Sequence, residues 1–182
     1  IGRTLAPPEA PLPADADCIA GQAWTWDGVR FRFLHPTPGF PYLRNQSTCV
    51  LRIETPHGAA LLTGDIDELI EARLLRLPAA DVQAAVVSVP HHGSGGSSSE
   101  AFVAATHARL ALVSAGYANR FRHPREHIVA RWQAAGAETP GSAEAGAIRV
   151  RIGAEGVTWT AERQDSPRFW DAVARQSGEA GL

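Results

Sequence analysis

Apolar and polar residues begin to alternate at Trp24. Trp24 and Trp26, then Asp27-Gly28, then Val29, Phe31 and Phe33 repeat with a period of two around a two-residue turn, which predicts a β-hairpin. Cys49 to Ile53 reads as the next strand, Pro56-His57-Gly58 as a turn, and Ala59 to Leu62 as the returning strand, running into Thr63-Gly64-Asp65. The period then lengthens. Leu69, Ile70, Leu74 and Leu77 recur at helical spacing within Asp67 to Leu77, with acids early and arginines late, as the helix dipole favours.

Ala84 to Val89 is a short apolar run of the kind buried on both faces. It is broken by Pro90 and His91-His92-Gly93-Ser94-Gly95-Gly96-Ser97-Ser98-Ser99. A helix around Glu100 to Thr106, a strand Leu110 to Ser114 and a helix from Arg125 to Ala135 follow. Ala147 to Ile152 with Val157 to Ala161 reads as a closing hairpin, and Ser166 to Arg175 as a short terminal helix. Strands that first pair locally and then alternate with helices predict an α/β layered domain. Residues 1–17, rich in proline and without apolar period, read as an extended lead-in; 18–163 form the domain, and 164–182 a tail.

Composition narrows the class. At 182 residues, 45% hydrophobic and 20% charged, the chain is sized for one globular domain, and no apolar run reaches the length of a membrane-spanning helix. It contains no methionine, so it is expected to be a piece of something longer. Lysine is absent too, and all 17 basic residues are arginine against 19 acids. A formal charge of −2 excludes a general positive blanket for nucleic acid and leaves only a local arginine cluster. Cys18 and Cys49 are too far apart for a CxxC motif, and stand as two buried thiols or one disulfide.

Functional loops of α/β folds leave the carboxyl ends of strands, and two such loops here carry metal-ligating chemistry. One ends in Asp65, the other in His91-His92. A carboxylate and imidazoles converging on one sheet edge suit zinc, manganese or iron, and imply metal-assisted hydrolysis. The plainer role for Asp65 is N-cap of the following helix, the better reading of that residue alone. Of the two histidines, one is expected to bind metal while the other donates a hydrogen bond. Gly93 permits close backbone approach, and Ser94 to Ser99 offers hydroxyls and amides to an anion. A serine nucleophile at Ser94 ranks low, because no Gly-x-Ser-x-Gly elbow is present. Arg120, Arg122 and Arg125 around Phe121 are candidate phosphate contacts, with a solvated loop as the plainer reading. Asn45 is a candidate amide at the same edge, or simply a turn residue.

In order, Cys18-Ile-Ala-Gly-Gln-Ala-Trp24-Thr-Trp26-Asp-Gly-Val-Arg-Phe31, Asn45-Gln-Ser-Thr-Cys49, Leu61-Leu-Thr-Gly-Asp65, Val89-Pro-His91-His-Gly-Ser94, Ser114-Ala-Gly-Tyr-Ala-Asn119-Arg and His123-Pro stand in this chain. Their combination resembles the C-terminal domain of ComEC-type DNA-internalisation competence proteins, over about Cys18 to Ile152. The resemblance implies the later part of a metallo-β-lactamase αβ/βα sandwich with two divalent ions, zinc or manganese, in the complete domain. Asp65 would bridge the metals, and His91 or His92 would ligate the second. Ser94, Asn119, Arg120, His123 and Asn45 would surround them as substrate contacts.

The function implied is a metal-dependent DNA phosphodiesterase or nuclease acting on single-stranded DNA during transformation; the alternative is a non-catalytic DNA- or partner-binding module of the uptake machinery. The parent would be an inner-membrane channel protein with this domain on the periplasmic side, which favours a Cys18–Cys49 disulfide. The His-x-(His or Asp)-x-Asp-His loop of the fold is not in this sequence. The resemblance therefore implies that the chain alone is inactive, with no metal bound, and that its exposed edge promotes self-association. Gln46, Thr48 and Arg122 stand where the family more often has asparagine, serine and glycine.

Overall fold

The computed structural model describes residues 2–166. In chain order the elements are β1 (Leu5–Ala6), β2 (Ala16–Asp17), β3 (Ala23–Trp26), β4 (Val29–His35), β5 (Val50–Thr55), β6 (Gly58–Leu62), α1 (Glu68–Leu74), α2 (Ala79–Val82) and β7 (Val86–Ser88). They continue with α3 (Glu100–Thr106), β8 (Leu110–Leu112), α4 (Glu126–Ala134), α5 (Ser142–Ala145), β9 (Ile148–Gly153), β10 (Gly156–Ala161) and α6 (Glu162–Asp165). The helix expected over 166–175 lies, past Ser166, outside the described residues.

Six strands form one mixed sheet in the order β3-β4-β5-β6-β7-β8. The first four are antiparallel neighbours; two-residue turns join β3 to β4 and β5 to β6, as the sequence predicts, and a longer loop over 36–49 joins β4 to β5. β6, β7 and β8 run parallel, because α1 to α3 carry the chain back between them. The α/β class read from the sequence is therefore observed. Val50, Leu61, Val87 and Ala111 on one face pack with Ile70, Leu74, Phe102, Ile128 and Trp132 of the helices in a continuous core. Thus the helical spacing of apolar residues and the buried strands meet in one layer interface.

The lead-in differs from its sequence reading. β1 and β2 pair in parallel, Cys18 donates its N–H to the Ala6 carbonyl at 2.8 Å, and Ala6 is buried. Docking follows from the Cys18–Cys49 disulfide, with Cα atoms 6.1 Å apart, which pins this end of the chain to the start of β5. Of the two states left open for these cysteines, the disulfide is the one present. The hairpin β9–β10 forms a separate two-stranded sheet. Among the described residues no helix is long and apolar enough to cross a membrane.

Candidate functional site

Three loops meet at the carboxyl ends of β6, β7 and β8. Thr63 ties the first two together: its N–H donates to the Ser88 hydroxyl at 2.9 Å and its own hydroxyl to the Ser88 carbonyl at 2.6 Å. Immediately beyond, the His91 N–H donates to the Gly64 carbonyl at 2.9 Å. These bonds fix the Thr-Gly-Asp turn against the His-His-Gly turn before any side chain is considered. Gly64 adopts φ +57°, and a Cβ there would lie 2.1 Å from the Thr48 methyl, so only glycine lets the β5 entry pass this closely.

His91 and His92 both adopt left-handed backbone, at φ 48° and 58°. Non-glycine residues rarely do so, and two in succession are a local strain held by surrounding bonds. The left-handed turn places both rings near the same rim, with centroids 6.3 Å apart. Asn45 reaches this rim, its Nδ2 donating to His91 Nε2 at 3.2 Å. His92 Nδ1 lies 2.6 Å from the Ser114 carbonyl; a carbonyl only accepts, so this nitrogen carries the proton. The other nitrogen, Nε2, faces Asp65 Oδ1 at 3.4 Å. A neutral His92 would thus aim a lone pair at a carboxylate lone pair, an opposition that a proton or a bound cation removes.

The helix cap is not Asp65. Asp67 caps α1, accepting from the N–H groups of Leu69 and Ile70 at 3.1 and 3.2 Å, while Gln46 donates to its second oxygen at 2.6 Å. Two aspartates at this turn divide the roles, and Asp65, half-buried, is released to face His92.

The serine loop also behaves differently from its sequence reading. Its backbone amides are already occupied by an internal anion: buried Glu71 accepts from the Ser98 and Ser99 N–H groups at 2.5 and 2.8 Å. Burial pushes the Glu71 carboxyl above its ordinary range, against the pull of those hydrogen bonds. The Ser94 hydroxyl is buried and donates to the Ser97 hydroxyl at 3.3 Å, so it faces into the loop. Glu71, Asp67 and Gln46 are positioning residues that sequence reasoning missed. A carboxylate on the inner face of a helical pattern was the available signal for Glu71.

Gly93, at φ +80°, seats the next loop, since a Cβ there would meet the Pro124 Cβ at 2.6 Å. Asn119 binds this loop to itself, donating to the Gly116 and His123 carbonyls at 3.0 and 2.6 Å and accepting from the His123 N–H at 3.1 Å. His123 therefore comes to the rim, 6.1 Å from His91 between centroids. Burial lowers its imidazole below the usual value, and His91, Arg125 and His92 add repulsion. Arg120 lies over the Phe121 ring at 4.7 Å. The rim thus gathers Asp65, His91, His92, His123 and Asn45, with Asn119 and Ser94 bracing it and Arg120 at its margin.

For a divalent ion, the Asp65 oxygen and His92 nitrogen fit in kind. They do not fit in number: among the described residues no three His, Cys, Asp or Glu side chains stand together as an ion-holding group.

No family model matches the chain. Over 138 residues it is 37% identical to Competence protein ComA of Neisseria gonorrhoeae, covering 76% of this chain and 20% of that protein. It is 34% identical over 101 residues to ComE operon protein 3 of Bacillus subtilis, covering 56% and 13%. Recombination protein 2 of Haemophilus influenzae is 30% identical over 138 residues, covering 74% and 17%. The chain spans a fifth or less of the length of these relatives.

Proposed function

We propose, for a chain related to one segment of ComEC-type competence proteins, that its work is DNA handling during uptake, and that it forms the later part of a metallo-β-lactamase-like sandwich. In this reading Asp65 and His92, with His91 beside them, supply part of a divalent metal site in the complete protein. The observation that carries it is the Asp65–His92 opposition at 3.4 Å, with the imidazole held in one tautomer by Ser114. Such an orienting hydrogen bond on the far nitrogen is the usual support of a metal-ligating histidine.

A zinc or manganese ion there would supply Lewis acidity and a lowered pKa for bound water. The chain's own residues do the rest. Asp65 and His92 hold one oxygen and one nitrogen 3.4 Å apart, Asn45 orients His91, and Asn119 holds His123 at the rim. The described residues alone do not complete the ligand set, so hydrolysis is assigned to the full-length protein. The test is cleavage of single-stranded DNA by that protein: it requires a divalent ion, stops with chelator, and is abolished in Asp65→Ala. Undiminished cleavage in that variant would reject the metal role.

A second reading, a non-catalytic DNA-binding module, draws on the three arginines of the 120–125 loop. It predicts salt-sensitive DNA binding that is indifferent to chelator.

A further inference from the structure

The six-stranded sheet ends differently on its two sides. Beyond β8 the chain returns alongside: the Ala111 and Val113 N–H groups donate to the Glu138 and Pro140 carbonyls at 2.8 and 3.0 Å, and Glu138 and Ser142 donate back to the Arg109 and Val113 carbonyls at 2.9 Å each. That edge is closed. β3 stands at the other end of the strand order, next to β4 alone. The Phe33 N–H donates to the Gln22 carbonyl at 3.0 Å, which sets the parity of the β3–β4 ladder. Trp24 and Trp26 therefore bond inward to β4, while Ala23 and Thr25 turn their N–H and C=O groups outward. Among the described residues nothing receives those outward groups. We propose that this edge is a strand-docking site, completed in the full-length protein by an extended segment of the same polypeptide lying outside these 182 residues.

A free edge is a template for another strand, and folded proteins ordinarily blunt it with a charge, a proline or a bulge. Ala23–Trp26 has none of these. All four residues are exposed, Trp24 to 40% and Trp26 to 73%. The two tryptophans share one face of the strand, where Trp24 stacks on Phe31 with centroids 5.1 Å and planes 5° apart. With Leu5 and Leu51 they wall a cleft of about 760 Å³, bordered by Arg3, Asp17 and Gln22. A strand added beside β3 turns every second side chain towards that cleft, so the edge fits a segment with large apolar residues at alternate positions. Backbone pairing supplies the affinity, and the cleft supplies the selectivity.

The shortness of β3 decides between a tethered strand and a second copy. Four residues a side fall far below the roughly 20 to 30 a side of a stable interface between separate molecules. A strand in the same polypeptide needs much less, because tethering holds it at an effective concentration of about millimolar order. This chain spans 20% of the length of its gonococcal relative, so a polypeptide of that size has ample length to supply one. The pairing requires neither metal nor DNA.

The test is amide hydrogen exchange on the full-length protein, read at single-residue resolution over residues 22–27. The Ala23 and Thr25 amides are expected to exchange at least about 10-fold more slowly than in an unstructured peptide, whatever the protein concentration. Thr25→Pro removes one outward N–H and leaves the β4 ladder its own bonds. It is expected to lower the protection of Ala23 and of one further segment of the polypeptide together, by about 3- to 10-fold, and that segment is the docked strand. Exchange of both wild-type amides at the unstructured rate overturns the assignment. So does protection that appears only as concentration rises, which gives the edge to a second copy, or a Thr25→Pro effect felt at Ala23 and in no other segment. If Thr25→Pro unfolds the whole sheet, the wild-type rates decide by themselves.

Discussion

The Glu71 carboxylate occupies the serine loop, taking the N–H groups of Ser98 and Ser99 at 2.5 and 2.8 Å from the buried side of α1. The loop that the sequence offers to an external anion is thus built around an internal one. Arg131 completes the arrangement by donating to the Ser98 carbonyl at 2.5 Å.

Removing that anion should loosen the loop. Glu71→Ala leaves two buried N–H groups without a partner and is expected to cost about 2–5 kcal/mol, whereas Glu71→Gln, which keeps one acceptor, should cost less. Because burial raises the Glu71 carboxyl in the fold, the folded state holds its proton more tightly than the unfolded chain. Its contribution therefore weakens as pH rises from about 4.5 through the folded value. Urea unfolding against pH should show that decline in the wild type and its loss in Glu71→Gln.

Asp81 should show the opposite slope. Arg32 donates to both of its oxygens and joins β4 to α2, and these hydrogen bonds hold the Asp81 carboxyl below its ordinary value. Stability from this pair is full above about pH 3.8 and disappears as pH falls through the depressed folded value. Asp81→Asn is expected to lose about 1–2 kcal/mol at neutral pH and to flatten the acid limb of the same titration.

Gly64 and Thr48 should be coupled. Gly64→Ala sets a methyl 2.1 Å from the Thr48 Cγ2 and forces alanine into left-handed backbone, for an expected loss of about 2–4 kcal/mol. Thr48→Ser removes the clashing methyl and should recover about 1 kcal/mol or more of it, leaving the backbone cost. A double-mutant cycle by chemical denaturation checks this; strict additivity would show that the two do not meet.

The Cys18–Cys49 bridge closes a loop of sequence separation 31. Its reduction, or replacement of both cysteines by serine, should cost about 3–4 kcal/mol by chain entropy and release the proline-rich start from the sheet. Denaturation midpoints with and without reductant measure the first effect. Protease cleavage within residues 2–17 reports the second.

The long elements were legible because their residues carry a period. β3 and β4 around Asp27-Gly28, β5 and β6 around Pro56 to Gly58, and α3 over Glu100 to Thr106 lie where alternation or helical spacing puts them. The pairing of β1 with β2 and the short α2 and α5 were not legible, since two to four residues have no room for a period. At the site, Asp65 and the histidine pair were visible as residue types at strand ends. The cap was misassigned because Asp65 and Asp67 are equally good caps in composition, and only the backbone path of the turn separates them.

What the sequence alone determined is therefore local: which segments are strands or helices, which face of each is apolar, and which loops hold a carboxylate or imidazole. The tertiary structure decided the rest, from the left-handed turn that swings both histidines to one rim to the partner of each polar group on it. The reason is physical. Period and propensity act over a few neighbouring residues, whereas the Asp65–His92 and Glu71–Ser98 contacts join residues 27 apart, and such pairings exist only once the core has packed the strands and helices that carry them.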